Sequence, residues 1–386
     1  MASRKYEDIR KLLTTPLEFQ ETYGNSPQTI SNQEIKLDHW RGLTFRGWTF
    51  ESVLFEQAGF QHCRFEGVTF KDCGFVLVGS KKSNFENCTF EGCAFIGGDW
   101  IQNQWRKGSM THCHWLRDPL ERGVPSWLEN EFNDFRFTSI SVEKGATHWT
   151  SCRFQGVQIH EYQFSHLGMD RCQFDTCEFF HGDWSQTGTG RTKECTFKKV
   201  RFHENQILET FLGGDFEDTE FKEPRGASLW GTFRKIIVHP GANADFENLE
   251  SGRMQGRQGN VALQTSKDVE IDEIGPQGRF LLGTGGAENV IVHRADLERV
   301  YFRNGTYRNC RFENWVVKEF WMSENATFVG CIFENILITH EIVVSGPVHF
   351  EDCQFTNMRR ERGAKSFFND DPGDFLFPFE VAGGSV

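Results

Sequence analysis

The sequence predicts an all-β solenoid, a chain wound into a coil with its aromatic side chains inside, and three observations predict it. Counting by fives from Trp40 to Trp115 meets an aromatic residue at fourteen of sixteen positions in one unbroken frame, Ser80 and Met110 being the exceptions. The residue two before each of these centres is usually small or aliphatic, as at Val53, Ala58, Cys63, Val68 and Cys73. The residue two after is often a turn former, as at Gly42, Gly47, Gly67, Asp72, Asn87, Gly92 and Gly97.

A period of five is neither helical nor that of a plain strand. Two inward side chains separated by one outward residue fit a short extended piece. The alternation fails after the centre, where residues such as Arg46, Glu51 and Glu66 stand, so the backbone has to bend there. Each pentad is thus one short side and one corner, although the pattern alone leaves open how many sides close the coil.

This pattern resembles the pentapeptide-repeat family, and the stretch Ala295–Arg299, centred on Leu297, is close to that family's consensus. The resemblance implies a right-handed quadrilateral β-helix with four pentads to each coil. It also implies about four coils for the first aromatic run, rising roughly 20 Å at the usual strand spacing.

Along the chain, residues 1–36 lack the pattern, and a short helix from Ser3 to Leu13 is expected to cap the first coil. Pentapeptide coils then occupy 37–117. Residues 118–148, with Pro119, Pro125 and Trp127, break the frame and are expected to form an insertion. Coils resume over 149–221, with a smaller loop at 185–194. Residues 222–294 are β-like and Gly-rich without a clear pentad, and irregular coils are favoured over a separate insert. Coils return over 295–357, and 358–386 is a C-terminal cap or tail with a Phe-rich patch at Phe375, Phe377 and Phe379.

Each of the twelve cysteines, from Cys63 to Cys353, falls two residues before a repeat centre. That slot takes a small apolar side chain, a role buried free cysteine fills. Paired C-x-x-C spacing for zinc is absent. No cofactor or metal is expected.

Net charge is −12, which disfavours direct binding of nucleic acid or an anionic membrane surface. No apolar run follows the opening charged residues and none is long enough to span a bilayer, so a cytoplasmic protein is expected. Scattered enzyme-like motifs lack partners. Gly283–Gly286 has no strand–GxGxxG–helix setting, His160 with Glu161 and His239 beside Pro240 lack a third group, and Asp215 with Glu217 fits solvated surface. A non-catalytic, protein-binding solenoid is the expectation.

Two sets of residues are candidates for contact. If residues twenty apart stack, Val76, Ile96 and Leu116 line one outward face with Leu77 beside them, covered either by the insertion folding back or by a partner, a homodimer included. Trp127 in the insertion joins this set. The second set is acidic: Glu204, Glu209, Asp215, Glu217, Asp218 and Glu220. The family resemblance implies, as its most concrete function, protection of a bacterial type II topoisomerase (gyrase) by DNA mimicry. Residues 40–115, with eight basic and seven acidic residues, depart from the continuous negative charge that function needs. The alternatives are an intracellular scaffold or effector binding an unrelated protein through its insertions, and a β-helical glycan-binding or glycan-cleaving protein.

Overall fold

The structure is a computed structural model. It describes residues 26–36, 39–116, 126–139, 141–142, 147–164, 167–182, 192–203, 212–222, 228–239, 245–263, 265–323, 325–369 and 380–381. The described residues contain strands, turns and bends but no helix. The helix expected at Ser3–Leu13 and the patch at Phe375, Phe377 and Phe379 lie outside them. The chain divides into two compact units, Met1–Thr210 and Phe211–Val386.

In the first unit each pentad forms a three-residue strand whose centre points inward and whose flanking residues point outward, as in Thr69–Lys71. Strands one coil apart pair in parallel and in register, and the centres stack in four columns. Ile30, Phe50, Phe70 and Phe90 make the first, and Ile35, Phe55, Phe75 and Phe95 the second. Trp40, Phe60, Ser80 and Trp100 make the third, and Phe45, Phe65, Phe85 and Trp105 the fourth. Four columns at a twenty-residue register make the coil four-sided. The first coil begins at Ile30 and Ile35, inside the segment expected to be a cap. Their aliphatic side chains hide them from a count of aromatics.

The corners lie where the turn formers predict, two residues past each centre. Gly42, Gly47, Gly67, Gly92 and Gly97 have φ between +60° and +68° there. The geometry holds even where the residue is no turn former, as at Gln57, Leu77 and Lys82 with φ of 52–53°. Each corner amide donates to a carbonyl of the next coil, for example Asp72 N–H to Glu91 O at 2.8 Å. A ladder satisfied at every level holds even an unfavourable residue in the left-handed region.

The expected insertion at 118–148 is largely coil. Trp127 pairs in register with Trp105 and with Trp149, Phe132 with Met110 and Phe154, and Phe137 with Trp115 and Ile159. These coils hold twenty-two residues in place of twenty. Two residues more per turn shift the frame without interrupting the stack, and a search at fixed period reads that shift as a break. Residues 117–125 lie outside those described.

The second unit is coil as well. Its strands pair in parallel, but the repeat length changes from turn to turn. Phe216 pairs with Phe233 seventeen residues on, Phe246 with Val261 fifteen on, Ile271 with Val292 twenty-one on and Leu297 with Val317 twenty on. The described residues of 222–294 thus form parallel coils whose length varies from turn to turn. Strands Arg311–Ser323 and Ile332–Ser345 are longer than one side, although Asn314 and Asn335 within them keep the left-handed corner at φ of 56°, and the register shifts between Val317 and Glu319. Near the end of Ile332–Ser345 the inward residues are Ile342 and Val344.

The cysteines fill the predicted slot. Eleven of the twelve are buried, Cys353 is half-buried, and all are free. The structure adds a reason beyond size, because most of the thiols reach the carbonyl of an inward residue one coil earlier. Cys63 Sγ lies 3.3 Å from Trp40 O, and Cys93 Sγ 3.3 Å from Phe70 O. The same slot accepts Ser83, bonded to Phe60 O at 3.2 Å, and Asn103, bonded to Ser80 O at 2.9 Å. The slot thus takes small side chains with a donor as well as the aliphatic Val53, Ala58 and Val68. Burial pushes the Cys63 thiol up to about 11 and those of Cys88 and Cys177 up to about 12.

These thiols should react with a disulfide reagent only as fast as the coils open. Rapid modification of most of the twelve in native protein would refute the packing role. Because the folded pKa of Cys63, Cys88 and Cys177 lies above the unfolded value, their contribution is whole below about pH 8.5 and is lost as pH rises through the folded value. The denaturation midpoint is therefore expected to be lower at about pH 10 than at about pH 8.

Candidate interaction surface

The outward positions on the second column of the first unit form a ladder of their own. Glu56, Val76, Ile96 and Leu116 stand one above another in register, with Thr138 above Leu116. Ile96 is 42% exposed, Leu116 38% and Leu77, at the adjoining corner, 47%, while Val76 is half-buried. The other outward position of the same strands holds Leu54, Gly74 and Ala94. Gly74 and Ala94 leave Val76 and Ile96 standing as a low ridge, with His114 beside Leu116. Residues 126–139 build further coils, and residues 117–125, which leave the ridge at Leu116, lie outside those described.

A groove of about 600 Å³ adjoins the ridge at Leu77. Gly59 and Gly79 occupy outward positions there and Trp40, Ser80 and Asp99 contribute to its walls. The groove exists because two successive outward slots carry no side chain.

Trp127 does not belong to this surface. It is 1% exposed, and its ring stacks on Trp149 at 4.6 Å. An aromatic residue in a stretch without an obvious frame suggests a contact residue, yet the twenty-two-residue coil turns it into core.

The acidic set is only partly described, since Glu204 and Glu209 lie outside the described residues. Asp215 is exposed, and Glu217, Asp218 and Glu220 lie at the surface of the second unit. Lys235, one coil later, stands 3.8 Å from Glu217 and 3.9 Å from Asp218. Glu220 bonds His239 at 2.6 Å and lies 3.8 Å from Lys222. Stacking brings each coil's cations onto the carboxylates of its neighbour, so the run of acid in the sequence is locally compensated. Exposed pairs of this kind contribute little stability, but they remove a continuous negative face.

The same stacking occupies the histidines picked from sequence. His160 lies flat on Phe180 with ring centroids 4.4 Å apart, and Phe180 on His203 at 4.4 Å. Burial together with Arg136 holds His160 below the usual imidazole value. Among the described residues no group of His, Cys, Asp and Glu side chains is arranged to hold a metal ion. No helix of the described residues is long and apolar enough to cross a membrane.

Residues 22–115, about a quarter of the chain, match a family model described as the SV2A/B/C luminal domain. No curated protein sequence matches. Among solved structures, HetL, a pentapeptide repeat protein involved in heterocyst differentiation regulation from the cyanobacterium Nostoc sp. strain PCC 7120, aligns with 56% of this chain and 90% of its own length. The identity is 8% and the TM-score 0.22. A superposition that loose carries no argument about function, and the assignment of the fold rests on the chain's own ladder geometry. The luminal description of the matched family overturns the expectation of a cytoplasmic protein, which rested on the lack of apolar runs in the sequence.

Proposed function

From a chain that is a pentapeptide-repeat solenoid, we infer a non-catalytic binding protein that presents the aliphatic ridge of its first unit to a protein partner. The observation that carries this reading is the ridge itself. Three aliphatic residues, Val76, Ile96 and Leu116, stand outward in register on the ladder with exposed Leu77 beside them, and coil packing does not require them there. The topoisomerase version draws less support, because Lys235 stands against Glu217 and Asp218, carboxylates that DNA mimicry needs.

The reading predicts that tagged protein captures a partner from host lysate, membrane fractions included. Substituting Val76→Asp together with Ile96→Asp should abolish that capture while leaving the far-ultraviolet circular dichroism unchanged. Capture that survives the double substitution would remove the ridge from the function.

A further inference from the structure

Asn304 and Gly305 form the only Asn-Gly pair in the sequence. They make the bend between the strands Ala295–Phe302 and Thr306–Arg308 of the second unit, with Asn304 exposed and Gly305 half-buried. A glycine stands there because a second turn crowds it. A Cβ on Gly305 would lie 3.1 Å from the amide nitrogen of Gly286 and 3.3 Å from the carbonyl oxygen of Gly283, both backbone atoms one coil earlier. That close approach disfavours any side chain at 305. Among the described residues the Asn304 side-chain amide and the Gly305 N–H have no hydrogen-bond partner. The groups on either side of them are held. Arg303 N–H donates to Leu282 O at 2.9 Å, Tyr307 Oη–H to Arg303 O at 2.5 Å, and Thr327 N–H to Gly305 O at 2.9 Å.

We propose that Asn304 is a site of spontaneous deamidation, and that its principal product, isoaspartate, loosens the coils stacked on this bend. The Gly305 backbone nitrogen attacks Cγ of Asn304 and gives up its proton, and Nδ2 leaves as ammonia. The five-membered succinimide so formed takes up water, which returns a proton to the Gly305 nitrogen. Opening at the side-chain carbonyl yields aspartate. Opening at the backbone carbonyl yields isoaspartate, whose main chain runs through Cγ. One water is consumed and one ammonia released, and no oxidant or cofactor takes part. Glycine leaves the attacking nitrogen accessible because no Cβ shields it. The bonds that must turn belong to Asn304, so the held groups on either side do not block the attack. Other asparagines lack both features. Asn314 donates Nδ2–H to His293 O at 3.2 Å and Asn335 to Asn314 Oδ1 at 3.0 Å, and bulky Trp315 and Ile336 follow them. Isoaspartate lengthens the main chain between Arg303 N and Gly305 O, two points tied to different coils. Gly283 and Gly286 leave the added length little room, so the bond from Thr327 N–H to Gly305 O is the one that gives way.

The test uses the full chain, incubated warm at mildly alkaline pH and sampled by proteolysis and mass spectrometry. The peptide holding Asn304 should gain the mass of deamidation roughly tenfold faster than those holding Asn314 and Asn335. The rate should rise with pH, because the attacking nitrogen must lose its proton. Protein isoaspartyl methyltransferase should label the aged chain at that peptide. Asn304→Gln, whose longer side chain closes the ring far more slowly, should remove both signals. In hydrogen exchange the aged chain should lose protection at Thr327 and Thr306–Arg308. Asn304→Asp, which carries the new charge without the longer main chain, should keep that protection. An Asn304 peptide that reacts no faster than the other two, or methyl labelling that persists in Asn304→Gln, would overturn the assignment of the site. Equal loss of protection in Asn304→Asp and the aged chain would overturn the loosening by a lengthened main chain.

Discussion

Replacing Gly98 with alanine is expected to destabilise the first unit by about 4 kcal/mol or more, among the largest effects of any single methyl group in the chain. Gly98 adopts φ of +93°, and a Cβ there would lie 2.1 Å from the carbonyl oxygen of Val78 and 2.7 Å from its amide nitrogen. Both obstacles are backbone atoms of the coil below, held in place by the ladder, so neither yields as a flexible side chain would. Gly67 is the control. Its φ is +60°, equally left-handed, but nothing lies within 4 Å of an added Cβ. Gly67→Ala should therefore cost only the conformational penalty of about 1–2 kcal/mol. Urea denaturation of the two variants separates collision from backbone preference, and equal losses would show that the coils at Gly98 slide apart to make room.

The second large effect is expected in the aromatic columns. Phe70 is fully buried, stacked between Phe50 at 5.1 Å and Phe90 at 4.7 Å and edge-on to Phe75 at 5.5 Å. Phe70→Ala removes the ring and both stacked contacts and leaves a cavity that a rigid column cannot collapse, a loss of about 3–5 kcal/mol. Phe70→Leu keeps most of the volume and should cost about half as much. Because each coil touches only its neighbours, the damage is expected to be local at first. Hydrogen exchange should lose protection in the coils around Phe70 before those around Phe174. Uniform loss throughout the unit would mean that the solenoid unfolds as one cooperative body.

The ridge was legible from spacing because an in-register twenty-residue coil is simple arithmetic: Val76, Ile96 and Leu116 had to stack once four pentads closed a turn. Trp127 was misplaced by the same arithmetic, which fails where the coil takes twenty-two residues. The acidic run also changed meaning on folding. Glu217 and Asp218 read as uncompensated in sequence because Lys235 is seventeen residues away, one short coil, a distance no local window spans. The aromatic neighbour of His160 and the carboxylate neighbour of His239 come from adjacent turns and could not be seen in advance.

By itself, then, the sequence determined the local unit: an inward aromatic, a small or aliphatic residue two before it and a left-handed corner two after. These follow from side-chain size, alternation along a strand and the steric rule for positive φ, all of which act within five residues. Tertiary structure decided how many residues each turn takes and hence which side chains become neighbours. That choice depends on hydrogen bonds between coils fifteen to twenty-three residues apart, where a change of two residues moves a tryptophan from presumed surface to core.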